Sequence, residues 1–164
     1  MPTDQKVFYP LTNGFDSFES YYTGEGTPIS IPWNYGEPKQ WEIDDTRKVL
    51  GDKSIRNVKP VGVGAASTLS LDVNLPGWSL LRCQLYVDIA MPFDWFYITI
   101  NGERRNAYYR PTGEWVSLTT GIAPGDTTII FTVENNNIPI GANRNTASEG
   151  SGFVWIDICD IQPV

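Results

Sequence analysis

Apolar residues alternate with polar ones in short runs, and no segment carries a helical period. Runs of this kind, broken by Gly, Pro, Asn and Asp, read as β-strands joined by turns. The pattern predicts strands over Gly14–Tyr21, Gln40–Ile43, Ser54–Val58, Ser67–Leu75, Leu80–Ala90, Trp95–Ile100, Glu103–Tyr109, Glu114–Leu118, Thr127–Glu134 and Phe153–Ile161. Leu69, Leu71, Val73 and Leu75 fall on one face of theirs, and Leu81, Cys83, Leu85 and Val87 on one face of the next. Asn101-Gly102, between two such runs, predicts a tight hairpin. A second turn is expected at Ala123-Pro124-Gly125-Asp126, and the Gly/Pro-rich stretch 23–38 reads as loop. Many short strands at nearly even spacing predict an all-β, two-sheet antiparallel β-sandwich of jelly-roll type. One module over 1–164 is expected, with residues 1–13 as a flexible N-terminal segment.

The motifs run in a recognisable order: FDSFES, QWEI, SIRN, STLSLDVNLPG, LYVDI, PFDWFYITING, GEW, IAPGDTTIIFTV and GFVWIDICDI. This order resembles the extracellular jelly-roll modules that include MAM domains and related accessory modules of bacterial and algal surface proteins. Such modules are similar in fold to carbohydrate-binding modules. The resemblance spans nearly the whole chain, but its motifs are mostly structural. It departs from MAM domains, which carry more cysteines in fixed pairs. The resemblance therefore implies the broader architecture and an extracellular or cell-surface module excised from a larger protein, rather than that one family.

Composition narrows the chemistry. The chain has no His, which excludes Ser-His-Asp and Cys-His nucleophile pairs and His-ligated zinc. Twelve Lys+Arg against nineteen Asp+Glu give a net charge of −7, which argues against a nucleic-acid partner. No run is long enough to cross a bilayer, and the N-terminus shows no signal-peptide pattern. The two cysteines, Cys83 and Cys159, form no CxxC motif. They can make one disulfide or stand as buried thiols, and the second reading is preferred. Simple alternation places Cys159 on the face of Trp155 and Asp157, opposite Ile156 and Ile158.

Aromatics make up 13% of the residues, more than a core of this size needs. Sugars stack on Trp and Tyr faces and use planar polar side chains for their hydroxyl pairs. In DWFYITI, Phe96, Ile98 and Ile100 suit the core, which leaves Trp95, Tyr97 and Thr99 on the opposite face. Trp33 and Tyr35 sit in a Pro/Gly loop, and Trp78 follows Pro76-Gly77 at a turn. The expected ligand platform draws on Trp33, Tyr35, Trp78, Asp94, Trp95, Tyr97, Arg105 and Asn106. Tyr108, Tyr109 and Arg110 can lie nearby. Trp41, Trp115 and Trp155 suit packing instead.

Calcium is the expected cofactor, as a structural brace. Asp16 and Glu19 near the start, and Asp157 and Asp160 near the end, supply hard oxygen donors if the terminal strands pair. The resemblance to calcium-stapled binding modules supports this set. An acid pair for glycoside hydrolysis is not evident. Asp44-Asp45 reads as a solvated loop, and Tyr108-Tyr109-Arg110 is a thin hint of a lyase. The favoured function is therefore non-catalytic binding of a polysaccharide or cell-surface glycan, without nucleic acid or membrane insertion. The alternatives are an adhesion module with a protein partner, for which Ile138-Pro139-Ile140 is the candidate contact, and a small hydrolase or lyase.

Overall fold

The computed structural model describes residues 21–22, 28–29, 33–49, 54–58, 65–75, 77–89, 94–135 and 151–164. Among them, eleven strands and no helix are present. Strands β1 (Tyr21–Tyr22) and β2 (Pro28–Ile29) form a small separate ladder; β1 starts at the end of the first predicted strand, and β2 lies inside the stretch read as loop. Strands β3 (Trp41–Asp44), β4 (Ser54–Asn57), β5 (Ala66–Leu75), β6 (Ser79–Asp88), β7 (Asp94–Ile100), β8 (Glu103–Tyr108), β9 (Val116–Ile122), β10 (Gly125–Asn135) and β11 (Phe153–Pro163) build the body. They form a four-stranded sheet, β5-β10-β7-β8, and a five-stranded sheet, β3-β4-β11-β6-β9. Every pairing in the two sheets is antiparallel. The architecture is a jelly-roll-type β-sandwich.

The inner faces make the core. Leu69, Leu71, Val73 and Leu75 from β5 meet Leu81, Cys83, Leu85 and Val87 from β6, as their alternation demands. A buried aromatic chain stiffens the centre. Phe96 and Phe131 lie near-parallel at 6.4 Å, Trp33 meets Phe131 edge-on at 5.6 Å, and Trp41 reaches Phe96 at 6.5 Å. Each such pair adds roughly 0.5–1.5 kcal/mol beyond its buried area.

The Asn101-Gly102 hairpin forms as the dipeptide predicts. Both residues have positive φ, 50° and 82°, the geometry that a two-residue turn between twisted strands needs. Strand β9 runs further than its sequence suggests, to Ile122. As an edge strand it turns Ser117, Thr119 and Gly121 to solvent, so its second half looks like a loop by composition.

Two β-bulges alter what alternation predicts. On β11 the register shifts between Asp157 and Asp160. That resets the parity, so Cys159 joins Ile156 and Ile161 in the core instead of sharing a face with Trp155. Cys83 and Cys159 are both buried and are not joined by a disulfide. On β8 the register shifts beside Ile98/Thr99, leaving Arg105 between two paired residues. The segments 1–13 and 136–150, including Ile138-Pro139-Ile140, lie outside the described residues.

Candidate functional site

The outward face of the four-stranded sheet carries an aromatic cluster at one end. Its floor is set by β7 and β10, where register places Trp95 opposite Glu134 and Tyr97 opposite Thr132. Trp95 and Tyr97 share this face because Phe96 and Ile98 are drawn into the core. Tyr109, just past β8, meets Trp95 edge-on at 5.6 Å and is 48% exposed. Trp95 and Tyr97 are half-buried, so each presents part of its ring to solvent.

Polar groups fix these rings. The Tyr97 hydroxyl donates to Glu134 Oε2 at 2.7 Å. The Arg104 guanidinium lies 3.7 Å from the Tyr97 ring centre, a cation–π stack. Burial, the hydrogen bond to Glu134 and the Glu134 charge push the Tyr97 pKa above its usual value, against a smaller opposing effect of Arg104. The phenol therefore stays a proton donor at neutral pH. The result is a part-exposed aromatic patch beside one carboxylate and one guanidinium, which is chemistry suited to a polyol with a hydrophobic face.

The structure redistributes the residues expected to form this site. Trp33 is 6% exposed and packs in the core against Phe131, so it cannot present a face to ligand. Its segment is drawn in because Asn34 pairs with Ser70 on the β5 edge. Tyr35 leans on the same core. Asp94 is 8% exposed, on the parity of Phe96 and thus on the inward side, where its neighbour Trp95 does not go. Trp78 is 62% exposed, but it stands in the β5–β6 turn, at the end of the sandwich opposite Trp95. Asn106 pairs opposite inward-facing Ile98 and is half-buried.

Arg105 is turned away by the β8 bulge. It donates to Glu103 Oε1 at 2.6 Å, to the Gly121 carbonyl at 3.0 Å and to Thr120 Oγ1 at 3.3 Å. It stitches the edge of one sheet to the edge of the other. The arginine on the platform is Arg104, and only the bulge decides between the two neighbours. Glu134 was also missed, although it stands on the outward parity of β10 directly opposite Trp95.

Of the four expected calcium donors, Asp157 and Asp160 lie among the described residues. Asp157 is fully buried, and its Oδ2 accepts the Val49 amide at 2.7 Å. Asp160 stands opposite Arg82 on β11, beyond the bulge. Asp16 and Glu19 lie outside the described residues. Among the described residues no group of three or more His, Cys, Asp or Glu could hold a metal ion.

The outward face of the five-stranded sheet carries a second aromatic row. Phe153, Trp155, Tyr86 and Trp115 contact one another in sequence at 5.8–5.9 Å between centroids. This face is covered. The Arg47 guanidinium lies 3.8 Å from the Tyr86 ring centre and 4.8 Å from that of Trp155. Arg56 lies over Phe153 at 4.2 Å and pairs with Glu42 at 3.0 Å. The Trp155 indole donates to Asp44 Oδ2 at 2.8 Å. Burial opposes the Asp44 charge, but Trp155, Thr46 and Arg56 outweigh it and hold its pKa below the usual 3.8. Trp115 and Trp155 thus pack, as expected of them, over the second face rather than between the sheets.

Solved structures match this fold across nearly its full length. The CBM22-1 xylan-binding domain of Paenibacillus barcinonensis Xyn10C matches with a TM-score of 0.54 at 15% identity, covering 96% of this chain and 96% of that one. This is a carbohydrate-binding-module-like fold. The K1 cleaved adhesin domain of Lys-gingipain from Porphyromonas gingivalis W83 matches with a TM-score of 0.55 at 13% identity, covering 92% of this chain and 97% of that one. At such identities the likeness concerns the fold alone. No family model and no curated protein sequence matches the chain.

Proposed function

We propose that the chain is a non-catalytic carbohydrate-binding module of a larger secreted or cell-surface protein. The observation that carries this reading is the part-exposed aromatic cluster on the outward face of the four-stranded sheet. There Trp95, Tyr97 and Tyr109 stand beside Glu134 and Arg104. Sugar rings stack on Trp95, beside the Arg104-covered Tyr97, and Glu134 and Arg104 take hydroxyls at the rim. The likeness to a xylan-binding domain supports xylan as a first probe. A catalytic reading has less support: the chain has no His, and Glu134 is the one carboxylate among the groups named on this platform.

The test is pull-down on xylan and β-1,4-galactan, then titration against soluble fragments, with calcium and with chelator. Trp95→Ala should weaken binding about thirtyfold, the effect of losing a hot-spot ring worth about 2 kcal/mol. Full affinity in a folded Trp95→Ala variant would remove the platform from the function. The stacking uses no ion, so chelator should leave affinity unchanged. A melting temperature that falls with chelator would support the structural calcium brace at Asp16, Glu19, Asp157 and Asp160. The adhesin-domain neighbour supports a second reading, protein contact, which predicts no glycan retention in either buffer.

A further inference from the structure

The geometry points to a second saccharide subsite at the far end of the same sheet face, so that the ligand is a neutral sugar chain lying along β10. This inference rests on the carbohydrate-binding reading. The subsite is an open pocket of about 590 Å³ formed chiefly by Asp72, Asn74, Asn101, Asp126 and Thr128. Its side chains are planar amides and carboxylates with one hydroxyl, the groups that pair with neighbouring sugar hydroxyls.

The pocket is built before any ligand arrives. Thr128 Oγ1 donates to Asp72 Oδ1 at 2.6 Å, and Asn74 Nδ2 donates to Asp126 Oδ1 at 2.6 Å. Asn101 is clamped to Thr128 from both sides: its Oδ1 accepts the Thr128 amide at 2.8 Å, and its own amide donates to the Thr128 carbonyl at 2.9 Å. Each carboxylate thus commits Oδ1 to the protein. Oδ2 remains for a sugar hydroxyl, in a hydrogen bond strengthened by the charge. Groups held this way lose little freedom on binding.

Register connects the pocket to the aromatic end. From Glu134 to Thr128, β10 advances six residues, about 20 Å at ~3.4 Å per residue. Between the two ends the outward residues are buried Thr132 and half-buried Ile130 on β10, with half-buried Thr68 and Ser70 on β5. A single sugar cannot span such a strip, but a chain can stack on Trp95 and reach Asp126. The two pocket carboxylates and a net charge of −7 repel uronates and sulfated sugars, which leaves neutral chains.

The experiment is titration with xylo- and β-1,4-galacto-oligosaccharides of increasing length, from disaccharide upward, against the wild type, Asp72→Ala, Asp126→Ala and Trp95→Ala. The wild type should gain about tenfold in affinity from the shortest to the longest member of the ladder it binds, the effect of one charge-assisted hydrogen bond. Asp72→Ala and Asp126→Ala should bind the disaccharide as the wild type does and lose that gain, with unchanged melting temperatures. Trp95→Ala should lose affinity at every length. A gain that survives both Asp variants, or a wild type without length dependence, overturns the second subsite and leaves the platform standing. Binding of oligogalacturonate as tight as that of the neutral chains overturns the neutral-chain assignment. A wild type that binds neither ladder overturns the carbohydrate reading and the subsite with it.

Discussion

The Tyr97–Glu134 contact can be isolated from the stacking that it supports. Tyr97→Phe removes the hydroxyl and keeps the ring, including the face under Arg104. Glu134→Ala removes the acceptor. A hydrogen bond to a charged group contributes roughly 1.5–3 kcal/mol when buried. Both partners are half-buried, and exposed ionic contacts retain at most about 1 kcal/mol, so we expect a coupling of about 1 kcal/mol. Urea denaturation of the wild type, both single variants and the double variant gives this coupling from a double-mutant cycle. The same four proteins titrated with xylan fragments separate positioning from contact. Because the hydroxyl is spent on Glu134, Tyr97→Phe should cost about threefold in affinity, far less than Trp95→Ala. A coupling below about 0.3 kcal/mol is indistinguishable from simple additivity, and would show that the 2.7 Å contact is not held in solution. An affinity loss in Tyr97→Phe as large as in Trp95→Ala would show that the hydroxyl itself meets the ligand.

Asp44 makes the fold acid-sensitive. Its folded pKa lies below the ordinary 3.8, so its contribution is complete above pH 3.8 and is lost as pH falls through the lower folded value. The stability difference between wild type and Asp44→Asn should therefore be constant near neutrality and shrink below pH 3.8 in urea titrations. A difference that stays flat down to pH 2 would refute the depressed pKa. Arg47→Ala should lower stability by about 1–2 kcal/mol through its lost contacts with Tyr86 and Trp155, and leave glycan affinity unchanged. Altered affinity in that variant would show that the five-stranded face takes part in binding.

The sheets were legible in the sequence wherever one face is buried and the other wet. Leu69 to Leu75 and Leu81 to Val87 alternate without a break, and Asn101-Gly102 fixes its own turn by backbone preference. What misled was anything that changes parity or burial by pairing at a distance. The β11 bulge moved Cys159 inward, and the β8 bulge exchanged Arg104 for Arg105; neither leaves a mark in composition. Trp33 looked exposed because its neighbours are Pro, Asn and Gly, yet one bridge to Ser70 pins its segment to a sheet edge and the ring falls into the core. The polar pocket was unreadable for a related reason. Its five residues come from β5, the β7–β8 turn and β10, and only the register brings them together.

The aromatic surplus divides between two faces that differ in one respect. On the five-stranded face, Arg47 and Arg56 spend their guanidinium groups on the rings, and Asp44 takes the Trp155 indole. That row is satisfied by the protein itself, and a ligand would have to displace those contacts to reach it. On the four-stranded face, Arg104 covers Tyr97 alone, and Trp95 and Tyr109 meet each other edge-on. An edge-to-face pair sets the rim of one ring on one face of the other, so the first ring keeps both faces and the second keeps one. On the proposed reading, binding follows the uncovered rings rather than the number of aromatics, which is why the ligand is proposed to lie on β7 and β10. The Arg47→Ala variant bears directly on this distinction, because it uncovers the second row without touching the first.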